Sequence, residues 1–266
     1  MIELFDALIP QIDYFMLLMF RVGGLTLASP IFGRVNVPVQ ARLGLMIALS
    51  YLFFLIFPQV YELNYTSLMG FALIALAETM IGVTLAIVTN MFITIMLTTG
   101  HNVDRQIGFG IVSVFDMQNQ QQIPITGQIF NIMIIVTFFA VNGHLRLIEI
   151  VALTIDEFPI GTLILSRYVG VVAAEIFART FLLGVMVSLP IVAAGLTIEV
   201  ILGVLMRMVP QIHMFVVGIP LKMVVGLFVL AVSLPVFVMF SEFIFQEMFH
   251  YLGRMFEMFR GNVEGF

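Results

Sequence analysis

The amino-acid sequence predicts an all-α, polytopic membrane-type protein made of helical hairpins with broken helices. Three observations lead there. Of the 266 residues, 61% are hydrophobic and only 10% charged, under half of the roughly 25% charged residues usual in soluble domains. The mean hydropathy is +1.14 and there are 27 phenylalanines, so too little polar surface remains to dissolve the chain, and the same apolar content excludes disorder. Several charge-free stretches approach the roughly 20 residues that cross a hydrocarbon core of about 30 Å.

The first stretch, residues 14–32, is a weak span, interrupted by Arg21 and Gly23-Gly24 and ending in the turn-rich Ser29-Pro30-Ile31-Phe32-Gly33-Arg34. Before it, Glu3, Asp6 and Asp13 stand without a single Lys or Arg. That is the reverse of a secretory leader, so the N-terminus is expected to be retained. Residues 43–61 form a strong span, closed by Pro58 and preceded by a loop containing Pro38. Residues 63–77, then Glu78, then 79–103 exceed one membrane thickness and read as one long helix or two joined pieces.

Beyond the polar run Gln118-Asn119-Gln120-Gln121-Gln122, residues 129–141 are too short to span alone, and Asn142-Gly143 signals a turn. Acids and bases recur through residues 146–179, the least membrane-like helices of the chain. Residues 180–198 hold Pro190 and residues 223–241 hold Pro235, so both spans are expected to be broken or kinked. The tail, 242–266, sets Phe245, Met248, Phe249, Leu252, Met255, Phe256 and Phe259 at helical spacing opposite Glu247, His250, Arg254 and Glu257. This amphipathic helix either docks on a partner or membrane surface or packs within the molecule. No repeat or low-complexity linker divides the chain, which reads as a single integral-membrane unit.

Charge and motifs exclude several functions. Sixteen acidic and eleven basic side chains give a net charge of −5 without any basic stripe, so nucleic acid is not an expected partner. Cysteine is absent, which removes disulfides, thiolate metal sites and cysteine nucleophiles. The histidines at 101, 144, 213 and 250 lack helical metal spacing, and no nucleophile elbow, P-loop or dinucleotide fingerprint occurs. The chain is expected to be no enzyme and to need no cofactor or metal.

Two clusters carry the functional signal. In residues 100–128, Gly100, Gly108, Gly110 and Gly127 are expected to interrupt helix formation, while Ile107, Phe109, Ile111, Val112, Val114 and Phe115 are too apolar for a solvent loop. Non-helical backbone at membrane depth must be buried in protein or line a cavity. The segment is therefore either a loop packed under its neighbours or a re-entrant plug that closes a pore by dewetting. In residues 190–222, Glu199 and Arg207 lie two turns apart on one helix face, able to serve each other or adjacent subunits. Pro210-Gln211 to Pro220 then makes the turn of a helical hairpin, and Lys222 restarts the second arm where the helix dipole disfavours a cation. Lys222 either snorkels to an interface or pairs across subunits. Charges inside apolar runs (Arg21, Glu78, Glu199, Arg207, Lys222) cost several kcal/mol in lipid unless they face protein or water. They point to a chain packed largely against other subunits. The nineteen methionines either fill gaps between helices or form a compliant seal.

Arg21 and Gly24, Pro30, Val37-Pro38 and Arg42, then residues 100–116, then Leu189-Pro190 through Glu199, Gly203, Arg207, Pro210-Gln211, Phe215 and Pro220-Leu221-Lys222 resemble the FliR family of type III secretion export-gate proteins. The likeness covers nearly the whole chain; Met117 stands where the family commonly has proline. The resemblance implies a multi-pass subunit of a flagellar export gate in the bacterial inner membrane and flagellar basal body. It implies a FliP-like portion over about residues 1–179 and a FliQ-like hairpin with the tail over about 180–266. Its partners would be FliP, FliQ, FlhB and FlhA type subunits, membrane lipid and unfolded export substrates, with energy supplied by other components. By the same resemblance Gly108, Phe109, Gly110, Val112, Phe115 and Asp116 belong to a channel plug; the charges in apolar runs and the hairpin cluster make Arg21, Glu78, Glu199, Arg207, Pro210, Gln211 and Lys222 the subunit-interface candidates. A virulence secretion gate and a secondary transporter for a small solute stand as alternatives. The transporter would use broken helices and intramembrane charges, but shows no paired repeats.

Overall fold

The computed structural model describes residues 2–33, 37–57, 65, 67–109, 124–161, 169–209 and 214–259. Every regular element among them is helical: α1 (Ile2–Ala28), α2 (Val39–Ile56), α3 (Leu68–Ile107), α4 (Ile125–Ala140), α5 (Gly143–Glu157), α6 (Val169–Met208) and α7 (Ile219–Phe259), the last preceded by a π-helical turn, Met214–Gly218. Among the described residues, four stretches are long and apolar enough to cross a membrane, Val39–Ile56, Leu68–Ile107, Val171–Met208 and Val216–Met255. The pair α4 and α5, bent by 65°, makes a fifth if it counts as one span.

Helix breaks that the sequence allowed are absent at three places. Gly23-Gly24 does not interrupt α1, and Pro190 and Pro235 lie inside unbroken helices. Proline removes one N–H donor, leaving the carbonyl four residues earlier without its helical partner. Long helices supported by neighbours tolerate that loss. Gly100 and Gly127 are also helical residues. The apolar run around Glu78 is one helix of 40 residues rather than two pieces. The expected turn at 142–143 is present: Asn142 adopts a left-handed conformation (φ 55°, ψ 30°) and turns α4 into α5, a geometry asparagine accommodates more readily than most residues.

Contacts divide the chain into two compact units: Met1–Met91 with Asn142–Ile176 and Glu247–Phe266, and Phe92–Val141 with Phe177–Gln246. In the first, α1 buries Tyr14, Leu17, Leu18, Val22 and Leu25 at helical spacing, and α5 buries Leu147, Ile150, Val151 and Ile155 while Arg146, Glu149 and Asp156 face outward. Each is an amphipathic stripe of the kind a helix turns to its core. In the second, α6 buries Leu183, Val187, Ile191, Ile198 and Leu202 in steps of four or seven. Phe130 on α4 meets Phe237 on α7 with ring centroids 4.4 Å apart, and Phe138 meets Phe245 at 5.3 Å. The apolar stripe of the tail is turned inward: Phe245, Met248, Leu252 and Met255 are buried, and Arg254 bonds Glu175 at 2.7 Å. Of the two alternatives for the tail, internal packing describes these side chains.

Candidate functional site

Two polar nodes and one charged pair place the side chains that sequence reasoning marked. In the first unit, α1 and α3 cross where neither helix has a side chain. A Cβ on Gly24 would stand 2.5 Å from the Thr79 carbonyl oxygen, and one on Gly82 would stand 2.0 Å from that of Arg21. This approach brings together two charges 57 residues apart. The Arg21 Nε–H donates to Glu78 Oε2 at 2.5 Å, and Nη1 donates to the carbonyls of Thr154 (2.8 Å) and Phe158 (3.0 Å) at the end of α5. Glu78 Oε1 accepts the Gly161 N–H at 2.9 Å. A guanidinium at the C-terminal carbonyls of a helix is favoured by the helix dipole. Both side chains are at most 1% exposed, so the pair is enclosed within the chain.

In the second unit, the end of α3 meets the start of α4. Gly108 ends α3 in a positive-φ conformation (φ 100°) and its N–H bonds the Asp104 carbonyl at 3.1 Å. Helix α4 begins after Pro124, which supplies no side-chain cap. Instead the Asp104 carboxylate, reaching from α3, accepts the Thr126 N–H on both oxygens (3.1 and 3.2 Å) and the Thr126 hydroxyl. A carboxylate belongs at a helix N-terminus, where unpaired N–H groups and the dipole favour it. Close by, a Cβ on Gly100 would stand 2.1 Å from Gly127 Cα, so the two backbones touch. Gln106 lies against Gly195, and its buried Nε2 finds no acceptor among the described residues. Asp104, Thr126 and this glycine contact were missed in the sequence. The signal was available: an aspartate in the last turn of one helix, where its own dipole opposes it, and a following helix that starts without a cap. Of the expected plug residues, Gly108 and the half-buried Phe109 stand beside this junction. Gly110, Val112, Phe115 and Asp116 lie outside the described residues, as do Pro210 and Gln211.

Glu199 does not pair with Arg207. It bonds the ammonium of Lys222, joining α6 to the first turn of α7, while Arg207 is exposed near the end of α6. The partner of Lys222 is thus inside the chain. Lys222 is 16% exposed and Glu199 40%, so removing either leaves different consequences. Glu199→Ala strands a mostly buried ammonium, whereas Lys222→Ala leaves a carboxylate that water can reach. The expected result is a loss of about 1–3 kcal/mol for Glu199→Ala and a smaller one for Lys222→Ala, read from thermal unfolding in detergent.

No group of three or more His, Asp or Glu side chains among the described residues could hold a metal ion. Outside the spans, Tyr65 donates to the Asp13 carboxylate, and that bond, followed by partial burial and the aspartate's charge, raises its phenol above the ordinary tyrosine value.

A family model described as bacterial export proteins, family 1, matches residues 12–248. Among curated proteins, the chain is 30% identical over 235 residues to the flagellar biosynthetic protein FliR of Escherichia coli (strain K12), covering 88% of this chain and 89% of that one. It is 29% identical to the FliR of Bacillus subtilis (strain 168), over 87% and 90% of the two chains. To the FliR of Aquifex aeolicus (strain VF5) it is 25% identical, over 90% and 91%.

Proposed function

Since the chain belongs to family 1 of the bacterial export proteins, we propose that it assembles with FliP- and FliQ-type subunits into the flagellar protein export gate and helps to close its channel. It is a non-enzymatic transport component of the flagellar export apparatus, set in the inner membrane. That membership removes the reading as a solute transporter. The finer reading assigns residues 1–179 to a FliP-like portion and 180–266 to a FliQ-like hairpin and tail, with FlhB- and FlhA-type subunits beside the gate and unfolded polypeptide as its cargo.

The observation that carries assembly is the length of exposed apolar surface. On α6, exposed large side chains run from Phe177 (62% exposed) through Leu189 and Val200 to Met208 (73%). Thirty-one steps of 1.5 Å make about 47 Å, against about 30 Å of hydrocarbon. Lipid covers only part of such a stripe, and sister subunits supply the remaining apolar surroundings. Exposed Arg207, with the Glu199 and Lys222 pair, gives that face its polar contacts; Pro210 and Gln211 are assigned to the same interface.

Segment 108–122 serves as the plug, with Phe109, Val112 and Phe115 narrowing the passage and Gly108, Gly110 and Asp116 shaping the loop. An apolar constriction stops ions by dewetting. Deleting residues 108–122 is expected to raise ion conductance through the assembled gate in planar bilayers. A deletion complex as tight as the intact one would refute the plug.

A further inference from the structure

We propose that Asp104 is a positioning residue of the gate, fastening the two ends of the plug segment through Thr126; this rests on the reading of residues 108–122 as the plug. The Asp104 carboxylate is only 5% exposed and sits in the last turn of α3, where its own helix dipole repels it. It is held there by the N–H and hydroxyl of Thr126 at the uncapped start of α4. The carboxylate therefore caps a helix to which it does not belong, and that helix is the one that follows the plug.

The glycine contact makes the fastening tight. Gly100 lies one turn before Asp104, Gly127 directly after Thr126, and their backbones touch. Glycine contact and carboxylate cap together fix the positions from which the plug departs and to which it returns. Loosening the cap lets these two ends separate without removing any side chain of the plug itself. Gate tightness then depends on residues that are not in the channel loop.

The test measures ion conductance of the complete complex with FliP- and FliQ-type subunits in planar bilayers, together with recovery of that complex by co-purification. Asp104→Ala is expected to raise the open fraction about tenfold, equivalent to about 1.4 kcal/mol, with assembly unchanged. Thr126→Val, which removes only the hydroxyl donor, gives a smaller increase, and Thr126→Ser restores the tight state. Should Asp104→Ala fail to assemble, Thr126→Val and Thr126→Ser, which keep the carboxylate, decide the matter. Leak in the 108–122 deletion together with tight Asp104→Ala and Thr126→Val complexes overturns the fastening and leaves the plug standing. A tight deletion complex overturns the plug itself.

Discussion

Replacing Arg21 with alanine is expected to remove most folded protein from the membrane, and Glu78→Ala to do the same. Each substitution leaves the opposite charge inside the first unit, where both side chains are at most 1% exposed. Breaking a buried ion pair in this way costs about 3–5 kcal/mol, a large part of the 5–15 kcal/mol that holds a typical protein folded. Arg21→Ala has a second consequence, because the carbonyls of Thr154 and Phe158 lose the guanidinium that donates to both at the end of α5. The double substitution Arg21→Met with Glu78→Leu removes both charges and is expected to recover part of the stability. Full recovery is not expected, since the Gly161 N–H loses its carboxylate acceptor and the two carbonyls lose their charged donor. Membrane-extracted yield and thermal unfolding in detergent measure the series. Single variants as stable as the parent would contradict the internal role of the pair.

Gly82→Ala is expected to be nearly as damaging, although it adds one carbon. That carbon would stand 2.0 Å from the Arg21 carbonyl oxygen, 2.9 Å from the Leu25 nitrogen and 3.0 Å from Gly24 Cα. All three are backbone atoms of α1, so no rotamer change relieves the clash and the helices must part. Overpacking ordinarily costs about 1–3 kcal/mol; here the separation also draws Arg21 from Glu78, so the loss is expected to reach or exceed about 3 kcal/mol. Gly44→Ala is the control. Nothing lies within 4 Å of a Cβ at that position in α2, and alanine there is neutral or stabilising by up to about 1 kcal/mol. Equal unfolding midpoints for the two variants would refute the crossing.

Much of the helical framework was legible because apolar runs and turn signals are local. Asn142-Gly143 announced the bend between α4 and α5, and Lys222 announced its need for a partner. The identity of that partner was not local: Glu199 lies 23 residues away across the hairpin turn. The same reason hid the Arg21 and Glu78 pair, though each charge is followed within one turn by the glycine that lets the helices meet. Reading Gly23-Gly24, Gly100 and Gly127 as interruptions failed because glycine's low helix propensity applies to an isolated helix. Between packed helices, small residues are favoured because they permit backbone contact. Pro190 and Pro235 misled in part, since each removes a single N–H donor and the helix continues through it. The plug assignment rested on family resemblance, whereas Asp104 and Thr126 emerged only once α3 and α4 were seen to meet.

The most direct measurement is co-purification of the tagged chain after expression with FliP- and FliQ-type proteins, followed by the mass of the detergent-solubilised particle. All three proteins are expected in one stable complex, with the exposed face of α6 covered. A stable, folded monomer surrounded by detergent, recovered while both candidate partners are present and unbound, would contradict it.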